Sequence, residues 1–310
     1  MTYRPTTVVH TTIYYLYLYQ QMMLKHITMK KVRKILAAVD KHIGNGNFVK
    51  SPLPNEWVEQ ISPFLMLDHF GPAHVSKEKP FYVPPHPHKG FEPVTLLFKG
   101  EVLHHDSMGN TGNLKAGDVQ WMTAGKGIVH SEGVPPAFLE KGGEMELIQL
   151  WVNLPRSAKQ HEPRYQDLRA ENFPLVKAGD ASMKLIAGSY DDKTSPAQLL
   201  TPVLILHGRL DKDGKSSITI PEGYNSTVYT LKGLLSTDSF EVHERHLIWF
   251  KEDGSTIELE AKEDSEFIVL AGLPIQEPVA SYGPFVMNSK TDLIEALEEY
   301  REGKMGVLEK

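Results

Sequence analysis

Gly117-Asp118-Val119-Gln120-Trp121-Met122-Thr123-Ala124-Gly125-Lys126-Gly127-Ile128-Val129-His130-Ser131-Glu132 contains two apolar runs joined by a glycine turn. Val119 to Met122 reads as a strand. Gly125-Lys126-Gly127 reads as the tight turn that delivers His130. On an extended segment, residues two apart point to the same face. The His130 imidazole and the Glu132 carboxylate can therefore address one point. Upstream, Pro84-Pro85 leads into His86-Pro87-His88, which presents two imidazoles in the same way. If the two segments are neighbours, three nitrogen donors and one oxygen donor converge on a single cation.

Such a donor set suits Fe(II), Mn, Ni, Cu or Zn better than Mg or Ca. Iron is favoured by kinship with non-haem iron sites built from histidine and carboxylate, although ligand type alone leaves the metal open. Four protein ligands leave one or two coordination positions for a substrate or O₂. The competing reading is a set of solvated histidines on an exposed sheet face, because the chain has 14 histidines and a lone H-x-H is unremarkable. The absence of cysteine excludes disulfides, zinc-thiolate sites, iron–sulfur clusters and cysteine nucleophiles, and it fits a reducing cytoplasm. Gly125-Lys126-Gly127 lacks the remainder of a phosphate loop. No Gly-x-Ser-x-Gly elbow supports serine hydrolase chemistry. His243 and His246 have no partner pair, so no second metal site is expected.

Working outward, short apolar runs broken by turn residues fill the 310-residue chain, helped by 24 glycines and 21 prolines. Phe64 to Leu67, Val94 to Phe98, Val102 to Asp106 and Ile148 to Leu154 read as strands. In the second half, Val203 to Leu206, Thr227 to Leu231, His246 to Phe250 and Phe267 to Ala271 do so as well. Their spacing predicts an all-β sandwich or barrel. Met108 to Asn113 reads as a reversal between Val102–Asp106 and Val119–Met122. Lys99-Gly100 is echoed by Lys232-Gly233, as expected of a duplicated domain. The polar, proline-marked stretch from Pro155 to about Pro174 reads as a linker. One helix is expected near the end. Ser289 and Asp292 form its capping box, Leu293, Ile294, Leu297 and Tyr300 share one face, and Gly303 stops it. The tyrosine-rich run Tyr14 to Tyr19 is too short to span a bilayer and lacks the pattern of a signal peptide. Residues 1–28 are read as an extension outside the fold. A net charge of -6 offers no footprint for direct nucleic-acid binding.

Several of these stretches occur together in one family. Pro85-His86-Pro87-His88-Lys89-Gly90-Phe91-Glu92, the Gly117 to Glu132 segment, Phe64 to Phe70, Gln149 to Pro155 and Gly283-Pro284-Phe285-Val286-Met287-Asn288 closely resemble the pirin family of the cupin superfamily. The resemblance implies a bicupin of two jelly-roll-type β-barrels with a short C-terminal α-helix. The expected division is a metal-binding cupin barrel over 29–165 and a metal-free cupin barrel with the helix over 166–310. It implies one mononuclear metal, usually iron, held by His86, His88, His130 and Glu132. Glu92, four residues after His88, is then expected outside the ligand set, orienting a ligating histidine through its other ring nitrogen. His104, in His104-His105-Asp106, is expected either to line the pocket or to be structural. His69 stands where relatives commonly carry an acidic residue, which could alter the pocket mouth.

Two functions follow from the resemblance. The first is a quercetin 2,3-dioxygenase-type oxygenase. Its partners are a flavonol or similar aromatic substrate and O₂, and Glu132 is the base that takes the substrate's hydroxyl proton. The second is a redox-sensitive regulator that binds a transcription factor or metabolic enzyme without turnover. A bicupin whose barrels cover each other is expected to be a monomer, and no membrane segment is expected.

Overall fold

The computed structural model describes residues 28–44 and 47–308. The Tyr14 to Tyr19 run and part of the Gly44 to Asn47 turn lie outside the described residues. Twelve strands run from Val32 to Leu168: β1 (Val32–Ala37), β2 (Val39–Gly44), β3 (Asn47–Leu53), β4 (Phe64–Val75), β5 (Tyr82–His88), β6 (Phe91–Lys99), β7 (Glu101–Asp106), β8 (Thr111–Lys115), β9 (Val119–Thr123), β10 (Ile128–Gly133), β11 (Gly143–Asn153) and β12 (Arg164–Leu168). A seven-stranded sheet, ordered β12-β9-β6-β11-β4-β3-β2, faces a four-stranded sheet, β5-β10-β7-β8. Phe70, Phe81, Leu97, Val102, Leu114 and Leu147 fill the space between them.

The second half repeats the plan. Seven strands, among them Val203–Leu210, Asn225–Lys232 and Ser265–Gly272, form its large sheet. Its small sheet holds Lys215–Thr219, Thr256–Ala261, Leu234–Thr237 and Phe240–His243. The Lys99-Gly100 and Lys232-Gly233 echo is architectural, since each pair links a large-sheet strand to a small-sheet strand. The all-β bicupin with a C-terminal helix is thus the observed fold.

The two large sheets pack on each other. Leu67, Val94, Leu96, Trp121, Ile148 and Leu150 from the first meet Ile205, Tyr229, Leu247, Ile268 and Leu270 from the second in one buried cluster. These strands are covered on both faces, so they read as continuous apolar runs rather than alternating ones. Phe64 to Phe70 is buried at every position for that reason.

Four expectations need correction. Pro155 to Pro174 is more than a linker: Arg164–Leu168 pairs antiparallel with β9, so a division at 165/166 would cut through a strand. The halves also exchange their ends. β1 pairs with His246–Phe250 in the second barrel's large sheet. Conversely, α2 (Lys290–Arg301, after the short α1, Pro136–Lys141) packs with Phe285, Met287 and Met305 against Val129 of β10. The Met108 to Asn113 reversal joins β7 to β8 rather than to the strand at Val119. Finally, Leu293 and Ala296 are the buried helix residues, whereas Ile294 is exposed. The Ser289 hydroxyl accepts from Asp292 N–H as the capping box requires. The Asp292 carboxylate accepts from the N–H of Asn288, one residue earlier than the motif predicts.

Thr28 already belongs to the fold, because its carbonyl accepts from the backbone of Ser255 and Thr256. Among the described residues, no helix is long and apolar enough to cross a membrane.

Between β5 and β6, Gly90 sits at φ +87°, and a Cβ there would lie 2.0 Å from the Val286 carbonyl oxygen. Its N–H donates to Gly125 O at 2.8 Å. Gly90→Ala is expected to lower the free energy of unfolding by at least about 2 kcal/mol, measured by denaturant titration, because it combines a strained φ with a backbone clash.

Candidate metal centre

β10 runs between β5 and β7, and its register assembles the site. His130 lies opposite His86 on β5 and opposite Asp106 on β7. Glu132 lies opposite His104. Between His130 and Glu132 the pairing with β5 slips, so that Glu132 faces Val83. The extra residue falls on β5 at Pro84-Pro85, where a bulge tolerates the missing N–H donors.

This arrangement brings the ligating atoms of His86, His88 and His130 within 4.8 Å of one another. The same holds for His104, His130 and Glu132, so His130 is common to both groups. The Nε2 atoms of His86 and His88 are 3.1 Å apart. Two donors that share one cation at about 2.0–2.1 Å, at roughly right angles, are separated by about that distance. Burial holds the His88 and His130 imidazoles well below their ordinary pKa, with neighbouring histidines adding to the effect. Both are therefore neutral, the form that binds metal.

The tautomer of His130 is set from behind. Gln120 Nε2 donates to His104 Nδ1 at 2.9 Å, and His104 Nε2 donates to Asp106 Oδ2 at 3.2 Å. His104 Nδ1 then has no hydrogen to give, so its 3.4 Å contact with His130 Nδ1 is a hydrogen bond only with the ring hydrogen on His130 Nδ1, sharing the one lone pair that Gln120 also uses. His130 Nε2 is left unprotonated, and it is buried without a hydrogen-bond partner. That orphaned lone pair, beside the two closely spaced histidine nitrogens, fits a bound divalent metal. Tyr165 stacks on the other face of His104 with ring centroids 4.9 Å apart.

Glu132 is steadied by Thr95. The Thr95 hydroxyl lies 3.3 Å from Glu132 Oε1 and 2.7 Å from the Gln149 amide oxygen. One hydroxyl hydrogen serves one acceptor. Turning the Gln149 amide satisfies both contacts: its nitrogen donates to Thr95, and Thr95 donates to Glu132. His86, His88, Glu132 and Gln149 open onto a cleft of about 410 Å³ walled by Met66, Phe70, Phe81, Val83, Leu147 and Trp151.

Glu92 does not orient a histidine. Thr123 Oγ1 donates to it at 2.5 Å, and it pairs across the sheet with Val152 on the face turned toward the second barrel. The Gly90 turn shifts the alternation by one, so Phe91 rather than Glu92 packs on His88, with ring centroids 5.0 Å apart. His69 also faces away from the cleft. Its Nδ1 meets the Tyr229 hydroxyl of the second barrel at 3.0 Å, and its Nε2 meets Glu146 at 3.2 Å. Thr95, Gln120, Asp106 and Gln149 are contributors that the motif reading missed. Their sequence signal is a polar residue inside an apolar strand, since such a residue must find a partner when buried.

Residues 46–152 match the Pirin family, and residues 205–306 match the Pirin C-terminal cupin domain. A Pseudomonas aeruginosa protein provisionally named a quercetin 2,3-dioxygenase is 39% identical over 281 residues, covering 89% of this chain and 98% of that protein. The chain belongs to the pirin family. Human pirin is 35% identical over 283 residues, which are 89% of this chain and 94% of its own. Among solved pirin-like structures, a quercetin 2,3-dioxygenase from Acinetobacter baumannii superposes with a TM-score of 0.86 at 36% identity, covering 91% of this chain and all (100%) of that one.

In this pirin, Glu92 carries a measurable electrostatic signature. Burial pushes its carboxyl up to about 7, against the downward pull of the Thr123 hydrogen bond. The folded state therefore holds a proton on Glu92 between about pH 4.5 and 7 that the unfolded state has lost, and stability falls as pH rises through that window. Glu92→Gln removes this dependence. Unfolding of the metal-free proteins should show the variant gaining about 1–3 kcal/mol on its parent between pH 5 and pH 8.

Proposed function

We propose that this pirin is a mononuclear metal-dependent dioxygenase of the quercetin 2,3-dioxygenase type, acting on a flavonol or similar aromatic substrate with O₂. The observation that carries the reading is the close group of His86, His88 and His130, linked through His130 to a second group with His104 and Glu132, beside a cleft lined by His86, His88 and Glu132, with the His130 Nε2 lone pair unpartnered. The names of the Pseudomonas and Acinetobacter relatives support the substrate class. In this reading the four residues hold one divalent ion, with Fe(II) the first choice among Fe, Mn, Ni, Cu and Zn. Bound there, iron supplies Lewis acidity toward a hydroxyl and a redox-active centre for O₂.

The chain's own residues bind, orient and move a proton. Glu132 takes the proton of the substrate hydroxyl, its Oε1 steadied by the Thr95 hydroxyl. Phe91 and Trp151, 4.2 Å between centroids, back His88 and brace it from behind. Met66, Phe70, Phe81 and Leu147 give the cleft the dry walls that suit a planar aromatic ring and keep water from the site.

Protein loaded anaerobically with Fe(II), then given quercetin and air, is expected to bleach the flavonol absorbance. His86→Ala should abolish bleaching, and Glu132→Gln should slow it at least about 100-fold. Bleaching by the parent no faster than by His86→Ala would sink the dioxygenase reading and leave the regulatory alternative, whose test is partner capture with oxidised and reduced metal.

A further inference from the structure

The histidines enter the cleft from the small sheet. Facing them on the large sheet is Lys41 of the edge strand β2, paired across to Val49. Lys41 supplies the single ammonium among the described residues that line this cleft. Its side chain is 43% exposed, yet it is held in place: Nζ donates to Asp68 Oδ2 at 2.9 Å and lies 3.5 Å from the Met66 sulfur. Asp68 is itself buried, and its Oδ1 has no partner. Among the described residues no other donor competes for that carboxylate, so it anchors the ammonium. An ammonium has three N–H donors. One goes to Asp68 and one points at a weak sulfur acceptor, which leaves a third for a ligand. A fixed cationic donor opposite the histidines favours a ligand whose oxygen reaches it, because its ordering cost has already been met.

We infer that Lys41, held by Asp68, is a specificity-determining residue of the cleft and receives a ring hydroxyl or phenolate oxygen of the aromatic substrate. The inference rests on the dioxygenase reading for its substrate class. It adds that ring oxygens beyond the chelating pair are recognised by this chain. A planar aromatic without them gains nothing from Lys41.

Two flavonols separate the effects. Quercetin and 3-hydroxyflavone share the 3-hydroxy-4-keto pair and differ in their ring hydroxyls. Iron-loaded protein is titrated with each under anaerobic conditions, and Kd is read from absorbance. Lys41→Met should weaken quercetin at least about tenfold, as expected for loss of a hydrogen bond from a charged donor. It should leave 3-hydroxyflavone within about twofold. Lys41→Arg should restore most of the quercetin affinity. Equal losses for both ligands, or no loss for either, would overturn the inference while leaving the function standing. Failure of the parent protein to bind either flavonol would overturn both.

Discussion

One strand register sets the chemistry of this molecule. β10 is hydrogen-bonded on both sides, to β5 and to β7, and its period of two turns His130 and Glu132 to the same face. A slip of one residue would turn that pair away from His86 and His88. The register is pinned at both ends. Gly125 turns the chain into β10 at φ +49°, where a Cβ would lie 2.0 Å from the His161 carbonyl. At the other end, the slip beside Pro84-Pro85 carries Glu132 past β5 toward Thr95.

The polar residues behind the site serve the same constraint. Neutral histidines with unpartnered nitrogens cost free energy in a dry interior. Asp106, Gln120 and His104 spend their own hydrogen-bonding capacity on fixing which nitrogen of His130 faces forward. The bare His130 nitrogen is unfavourable in a dry interior. The surrounding sheet supports it, and a metal held there would remove the penalty.

Much of this was legible in the sequence. H-x-H and H-x-E needed only the period of a strand, and the glycine turn between Val119 and His130 was recognisable as such. The duplication showed faintly in Lys99-Gly100 and Lys232-Gly233, the places where both barrels pass from one sheet to the other. The role of Glu92 was misjudged for a physical reason: counting four residues from His88 assumes an unbroken strand, and the left-handed backbone at Gly90 breaks the count. His69 was misplaced because a strand covered on both faces gives no alternation to say which side a residue takes. The exchange of ends was invisible for a different reason. Periodicity reports an apolar face on α2, but not which barrel covers it, and it says nothing of which sheet β1 joins.

That exchange also bears on how the chain can be handled. Lys89, the neighbour of His88, is buried and reaches Glu299 of α2 at 2.6 Å. Ser107 accepts from Val129 N–H beside His130 and donates to the carbonyl of Met305. The last turns of the polypeptide therefore buttress the strands that carry the histidines, while its first strand finishes the opposite barrel. Truncation of the carboxyl-terminal helix acts on the strands that carry His88 and His130, and removal of β1 acts on the opposite barrel.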